Sequence, residues 1–219
     1  MKSFIEPFIL YWVLFFRIPA GNTRGEGAVG AIALEFSWTA ETWQILMYTL
    51  PSLALVWYLM LKVKSLKEMG ITLPRKKDFV VASVAFAALT LIGVTISLVS
   101  AQFGEAALLR YLSPKAPAGW AVLAISCVSS AYLEESYFRF YLLSKEEEMG
   151  FGPLGAVMGS TMLFSICHIY EGPWGFLNSA LSGLVLAFTF LRFRSLHGVA
   201  IAHALYNILA YVLGAGTGG

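Results

Sequence analysis

Between Trp120 and Leu143 an apolar run holds three charged side chains, Glu134, Glu135 and Arg139, in the stretch YLEESYFRFYLL. A charge placed in hydrocarbon is costly, so charged residues in such a run face one another, other polar groups or a wet cavity. No other feature constrains the fold as much. Glu135 and Arg139 stand four residues apart with the acid first, the favoured order for a helical ion pair. Glu134 lies about 100° further round the helix and has no partner nearby in sequence. A carboxylate left over in this way is suited to work as a general base or acid. A polar knot that only holds helices together would use the same residues, and the triplet alone leaves both readings open.

The rest of the chain says what kind of protein surrounds the triplet. Of 219 residues, 58% are hydrophobic and only 13% charged, roughly half the charge of a soluble domain. The expected fold is all-α: a polytopic membrane protein of about seven transmembrane helices (six to eight) around a polar intramembrane cavity. Apolar segments predict spans near residues 4–16, 42–61, 79–101, 119–143, 153–170, 174–191 and 196–214. Pro51 should kink the second, and Pro153 suits the first turn of the fifth. The acid run SKEEEMG (144–150) reads as a solvated cap. Neither repeats nor low-complexity linkers interrupt the chain, so 1–219 reads as one membrane-embedded domain with its motif-bearing core at 119–214.

Several classes drop out. A net charge of +2 without basic tracts gives no reason to expect nucleic acid. Asp78 is the sole aspartate, which excludes an intramembrane aspartyl dyad. Cys127 and Cys167 fall in apolar segments and read as packing residues rather than a disulfide. With the N-terminus cytoplasmic, the inner loops collect Lys2, Lys62, Lys64, Lys67, Arg75, Lys76, Lys77, Lys145, Arg192 and Arg194. The outer loops collect Arg17, Arg24, Arg110 and Lys115. Ten against four favours this orientation.

Three further polar positions lie in apolar helices. His168 closes the fifth span in MLFSICHIY, with Phe164 one turn earlier. His203 and Asn207 are four apart in IAHALYNIL and project from one stripe of the seventh. An intramembrane histidine often does no more than bond two helices. Together with Glu134, however, these residues supply a base, a second proton-handling group and two hydrogen-bond donors. Such a set can direct water at an amide carbonyl.

EESYFR (Glu134–Arg139), FSICH (Phe164–His168) and HALYN (His203–Asn207) follow in order. They resemble the EExxFR, FxxxH and HxxxN motifs of the CAAX prenyl protease 2 family, the glutamate-dependent intramembrane endopeptidases also called CPBP or Abi. The resemblance covers about residues 119–214. It implies that Glu134 and His168 activate water, that His203 and Asn207 hold the oxyanion, and that Glu135 with Arg139 forms a structural ion pair. It also implies a membrane-anchored peptide or protein as substrate, prenylated or helical at its C-terminus and reached from the lipid bilayer. Two departures from the family pattern are Phe140 where glycine usually follows the arginine, and His197 where an aromatic commonly precedes the last motif. His197, at the membrane border beside Arg194, reads as an interfacial residue.

No cofactor is expected. The alternative is zinc held by Glu134, His168 and His203, a two-histidine, one-carboxylate set. Against it, Glu135 is better used by Arg139 than as a separate base. Two other classes of function stay open: a catalytically silent scaffold of the same fold, and a proton-coupled transporter. A geometric conflict also stands. By helical rise Glu134 lies about 22 Å below the outer end of its span and His168 about 22 Å above the inner start of its own, so the two meet only if one helix begins deep in the membrane.

Overall fold

A computed structural model of the chain describes residues 5–15, 33–62, 73–103 and 110–216. Lys2, Arg17, Arg24, Lys64 and Lys67, which enter the charge count above, lie outside them. The described chain is helical apart from its turns and one short bridge. Its helices are α1 (Ile5–Leu14), α2 (Trp38–Gln44), α3 (Leu50–Leu61), α4 (Lys76–Gln102), α5 (Pro117–Glu135), α6 (Leu143–Glu148), α7 (Pro153–Ile166), α8 (Gly172–Phe193) and α9 (Leu196–Gly216). Four helical runs are long and apolar enough to cross a membrane, namely Trp38–Leu61, Lys76–Gln102, Ile169–Phe193 and Leu196–Leu213; Ile5–Leu14 and Pro153–Ile166 are shorter apolar helices. With the charge-bearing run from α5 to α6, these are the seven apolar segments of the sequence, in their expected order. The fold is that of an all-α polytopic membrane protein.

Pro51 leaves the second segment helical. A π-helical turn, Ile45–Thr49, joins α2 to α3 just before it, and Pro51 takes an early position of α3 where its missing N–H costs little. The sequence gives no sign of the one strand pair, β1 (Ala33–Glu35) and β2 (Arg110–Leu112), which run parallel.

A second π-helical segment, Ser136–Leu142, joins α5 to α6 without a break. It is buried along its whole length and gathers neighbours. Trp57 donates to the Ser136 hydroxyl at 2.9 Å, Tyr137 donates to the Pro7 carbonyl at 2.6 Å, and Tyr141 donates to Glu6 at 2.6 Å. From α1, Tyr11 donates to the Leu163 carbonyl of α7 at 2.9 Å. The aromatic rings of Tyr11, Phe15, Tyr137, Phe138 and Phe164 pack around the same point.

The continuous helix also removes the conflict in depth. Its residues run from Pro117 to Glu148, roughly 45 Å of helix at 1.5 Å per residue, so Glu134 sits near its middle. After a turn with Gly150 in the left-handed region, α7 runs back along it. Gly159 packs on Glu146, Ser160 bonds Arg139 and Phe138, and Phe164 packs on Phe138. His168, two turns beyond Ser160, therefore arrives at the level of Glu134. The helix that carries the fourth apolar segment runs on past 143, to Glu148.

Glu146 corrects a second expectation. It lies in the acid run read as solvated, yet it is buried, with one carboxylate oxygen against Gly159 and the other without a hydrogen bond among the described residues. Burial pushes its carboxyl up to about 7 from 4.5. The folded form then holds a proton that the unfolded chain has released, so stability falls as pH rises from about 4.5 to 7 and is level above that. Glu146→Gln should abolish this decline. Against wild type its thermal stability should be similar at pH 5 and higher at pH 8, by on the order of 2–3 kcal/mol, measured by thermal melts in detergent.

Candidate active site

Glu135 and Arg139 are both fully buried, and Nε of Arg139 lies 3.1 Å from Oε2 of Glu135. The expected ion pair forms although a π-helical turn begins between the two residues. Arg139 reaches further: Nη1 donates to Ser160 Oγ at 3.1 Å, Ser160 donates to the Phe138 carbonyl at 2.8 Å, and the guanidinium lies 4.8 Å over the Phe164 ring. Sequence spacing did not show the second task of Glu135. Its Oε1 is 2.9 Å from Nδ1 of His203, so one carboxylate ties α5 to α9 while holding the arginine. Because the ion-paired carboxylate accepts, His203 donates from Nδ1, and its Nε2 is turned to Glu134, 3.8 Å from Oε2. That oxygen has no hydrogen-bond partner among the described residues.

His168 stands in the turn after α7 rather than on the helix. Its Nδ1 lies 2.7 Å from the Phe164 carbonyl, which can only accept, so Nδ1 carries hydrogen. The Cys167 sulfur is also near, 3.4 Å away, and both cysteines are free thiols. Phe164 joins these parts: its ring is 4.6 Å from that of His168 and 5.9 Å from that of His203. Residue by residue reasoning had placed Phe164 near His168 but had given it no role; its place in FSICH was the available signal.

His168, His203 and Asn207 line one cavity, together with Phe164, Glu171, Asn178, Ser179, Ser182, Tyr206 and apolar Leu89, Leu186 and Ala210. Glu134 does not line it directly; its link to the wall is His203. The structure thus brings together the three motif helices, and it adds a side of the cavity, from Glu171 to Ser182, that the motifs do not contain. His197 is buried, not interfacial, and shares a hydrogen bond of 2.7 Å with Tyr132. Phe140 is buried and meets Phe190 edge to face at 6.1 Å, which accounts for a large residue where the family has glycine. No three His, Cys, Asp or Glu side chains among the described residues are grouped to hold a metal ion.

The two adjacent glutamates should fail differently on mutation. Glu135→Gln leaves a buried arginine without its counter-charge and weakens the hold on His203, at a cost of about 3–5 kcal/mol. Glu134→Gln disturbs no hydrogen bond and should melt within about 0.5 kcal/mol of wild type. Thermal melts of the two variants side by side check this, and a less stable Glu134→Gln overturns the assignment.

The chain was compared with known proteins. No curated protein and no solved structure matches it. Residues 116–209 match the sequence model of the type II CAAX prenyl endopeptidases, described as Rce1-like. The matched segment runs from the start of α5 into α9 and includes EESYFR, FSICH and HALYN with the whole hydrogen-bonded site. The match covers less than half of the chain, and over that segment the chain is similar to the family whose motifs it resembles.

Proposed function

We propose that this protein is an intramembrane endopeptidase that cuts a membrane-anchored peptide, prenylated or helical at its C-terminus, with water activated by Glu134 and His168. The observation that carries the reading is the free side of the site. Glu135 is bound by both Arg139 and His203, while Glu134 Oε2 has no hydrogen-bond partner among the described residues and lies beside His203, which lines the cavity with His168 and Asn207.

In this mechanism a water between Glu134 and His168 gives its proton to one of them as its oxygen attacks the scissile carbonyl. The carbonyl oxygen gains the charge and is met by the Asn207 carboxamide and by Nε2 of His203. To donate there His203 needs a proton on Nε2 as well as on Nδ1, where Glu135 accepts. When the tetrahedral adduct collapses, the C–N bond breaks and the proton taken from water passes to the leaving amine. The protein is read as a single membrane domain over 1–219 with its N-terminus in the cytoplasm, and no metal takes part. Glu135 already serves both Arg139 and His203, so a zinc held by Glu134, His168 and His203 would lack a separate base.

Wild type and Glu134→Gln reconstituted in liposomes should differ completely on a farnesylated peptide with a quenched fluorophore spanning its CAAX bond. Wild type should cut it and the variant should not. Full activity of Glu134→Gln would refute the mechanism. Wild-type activity should survive exhaustive chelation, with metal content measured on the same sample; loss on chelation and return with zinc would convert the site to metal-assisted hydrolysis.

Asn207→Ala should lower kcat by about 10²–10³ with KM little changed, because its contact forms with the charge of the transition state. A rise in KM alone would make Asn207 a residue that positions substrate.

A further inference from the structure

The side of the cavity formed by α8 has no part in the water-activating set, and it is polar in a regular way. Glu171, Asn178 and Ser182 all line the cavity, and steps of seven and four residues put them on one stripe. Glu171 shares a side-chain hydrogen bond with Tyr170, and its carboxylate has room for further donors. Glu171 holds the N-cap position of α8, yet its side chain does not cap the helix. It lies instead over Gly175, where a Cβ would sit 3.0 Å from its Oε2. Asn178 is buried and accepts from the Tyr206 hydroxyl at 3.0 Å through Oδ1, which leaves its NH2 group to donate. Ser182 is 5% exposed, and its hydroxyl has no hydrogen-bond partner among the described residues.

Close packing does not explain the Ser182 hydroxyl. Small residues let membrane helices approach, but alanine would pack as well without a buried polar atom. Serine and threonine in apolar helices ordinarily bond a carbonyl of the preceding turn. Here Ser83, Thr90, Thr95, Ser165 and Ser179 all do so. Ser182 does not.

A peptide opened for cleavage inside a membrane presents main-chain N–H and C=O groups that no water or helix satisfies, and each needs a partner. From Glu171 to Ser182 the stripe covers about 16 Å at helical rise, the length of about five residues of extended chain. In that distance it offers a carboxylate acceptor, an amide donor and a hydroxyl that can do either. His203 and Asn207 line the same cavity. We infer that Glu171, Asn178 and Ser182 of the α8 wall bind the main chain of an extended substrate peptide beside the scissile bond. This deepens the protease reading and rests on it.

The test uses the full-length protein in nanodiscs and the farnesylated CAAX peptide, with binding read by fluorescence anisotropy in the Glu134→Gln background and cleavage read in the wild type. Ser182→Ala and Asn178→Leu should each weaken binding and raise KM about five- to tenfold, with a much smaller change in kcat. Ser182→Thr, which keeps the hydroxyl, should restore both. Peptides N-methylated or ester-substituted at one amide at a time give the second readout. The substitution that weakens binding to the parent should cost nothing further in the variant that lost its partner. Unchanged binding in both stripe variants, or fully additive losses, would overturn the proposal. Binding with the expected dependence but no cleavage would keep the stripe and remove the protease reading. Cleavage that ignores both the variants and the backbone changes would remove the stripe alone.

Discussion

The structure depends on a guanidinium kept entirely out of solvent. Arg139 has no exposed side-chain surface, and a charge in that position persists only if its surroundings are fixed. Glu135, Ser160 and the face of Phe164 fix it from α5 and α7. Glu135 then reaches His203 on α9 with its second oxygen. Three helices that share few sequence-local contacts are thereby locked in one register. Substituting apolar residues for such a pair often leaves a protein as stable or more so, so stability alone does not account for it here. What the pair provides is placement: a defined tautomer and direction for His203, and thus a defined neighbour for Glu134.

Placement also requires that the helix bearing both glutamates cannot rotate. The π-helical segment after Glu135 contributes to this. Such segments widen the helix locally and recur at functional sites. Here the widened turn carries Trp57 on Ser136 and α1 on Tyr137 and Tyr141. Since neighbours on a helix point about 100° apart, a rotation of one residue would exchange Glu134 for Glu135. The ring of hydrogen bonds and aromatic contacts just below them prevents that exchange.

Much of this was legible from residue type and spacing. Apolar length gave the spans, and the four-residue spacing gave the Glu135–Arg139 pair and left Glu134 free. The carboxylate shared between Arg139 and His203 was not legible, because it depends on how α5 and α9 cross, which no local pattern encodes. The meeting of His168 with the level of Glu134 was not legible, because it depends on how α7 folds back along a helix that runs on through buried Glu146. The cap reading of 144–150 failed at Glu146, because α7 folds back over it and places Gly159 against its carboxylate. The α8 wall went unnoticed since serine and asparagine scattered in an apolar helix look like ordinary packing residues until a cavity is found on their side.

Buried polar atoms left without partners are costly, about 1–3 kcal/mol each, so where a protein keeps them is informative. Among the described residues six such side-chain atoms occur, and Thr49 and Glu146, which bear two of them, do not line the cavity. Glu134 Oε2 adjoins His203, and Ser182 Oγ borders the cavity itself. Arg139 Nη2 and the side chain of Thr161 both approach the next residue, Gly183, at 3.7 and 3.2 Å from where a Cβ would lie. The aromatic cluster on the other side of Arg139 holds the fold together without help from these atoms. A membrane protein gains nothing in stability from open hydrogen-bonding capacity at its centre. Such capacity is what a site that admits a polar ligand requires, and it is concentrated beside the cavity lined by His168, His203 and Ser182.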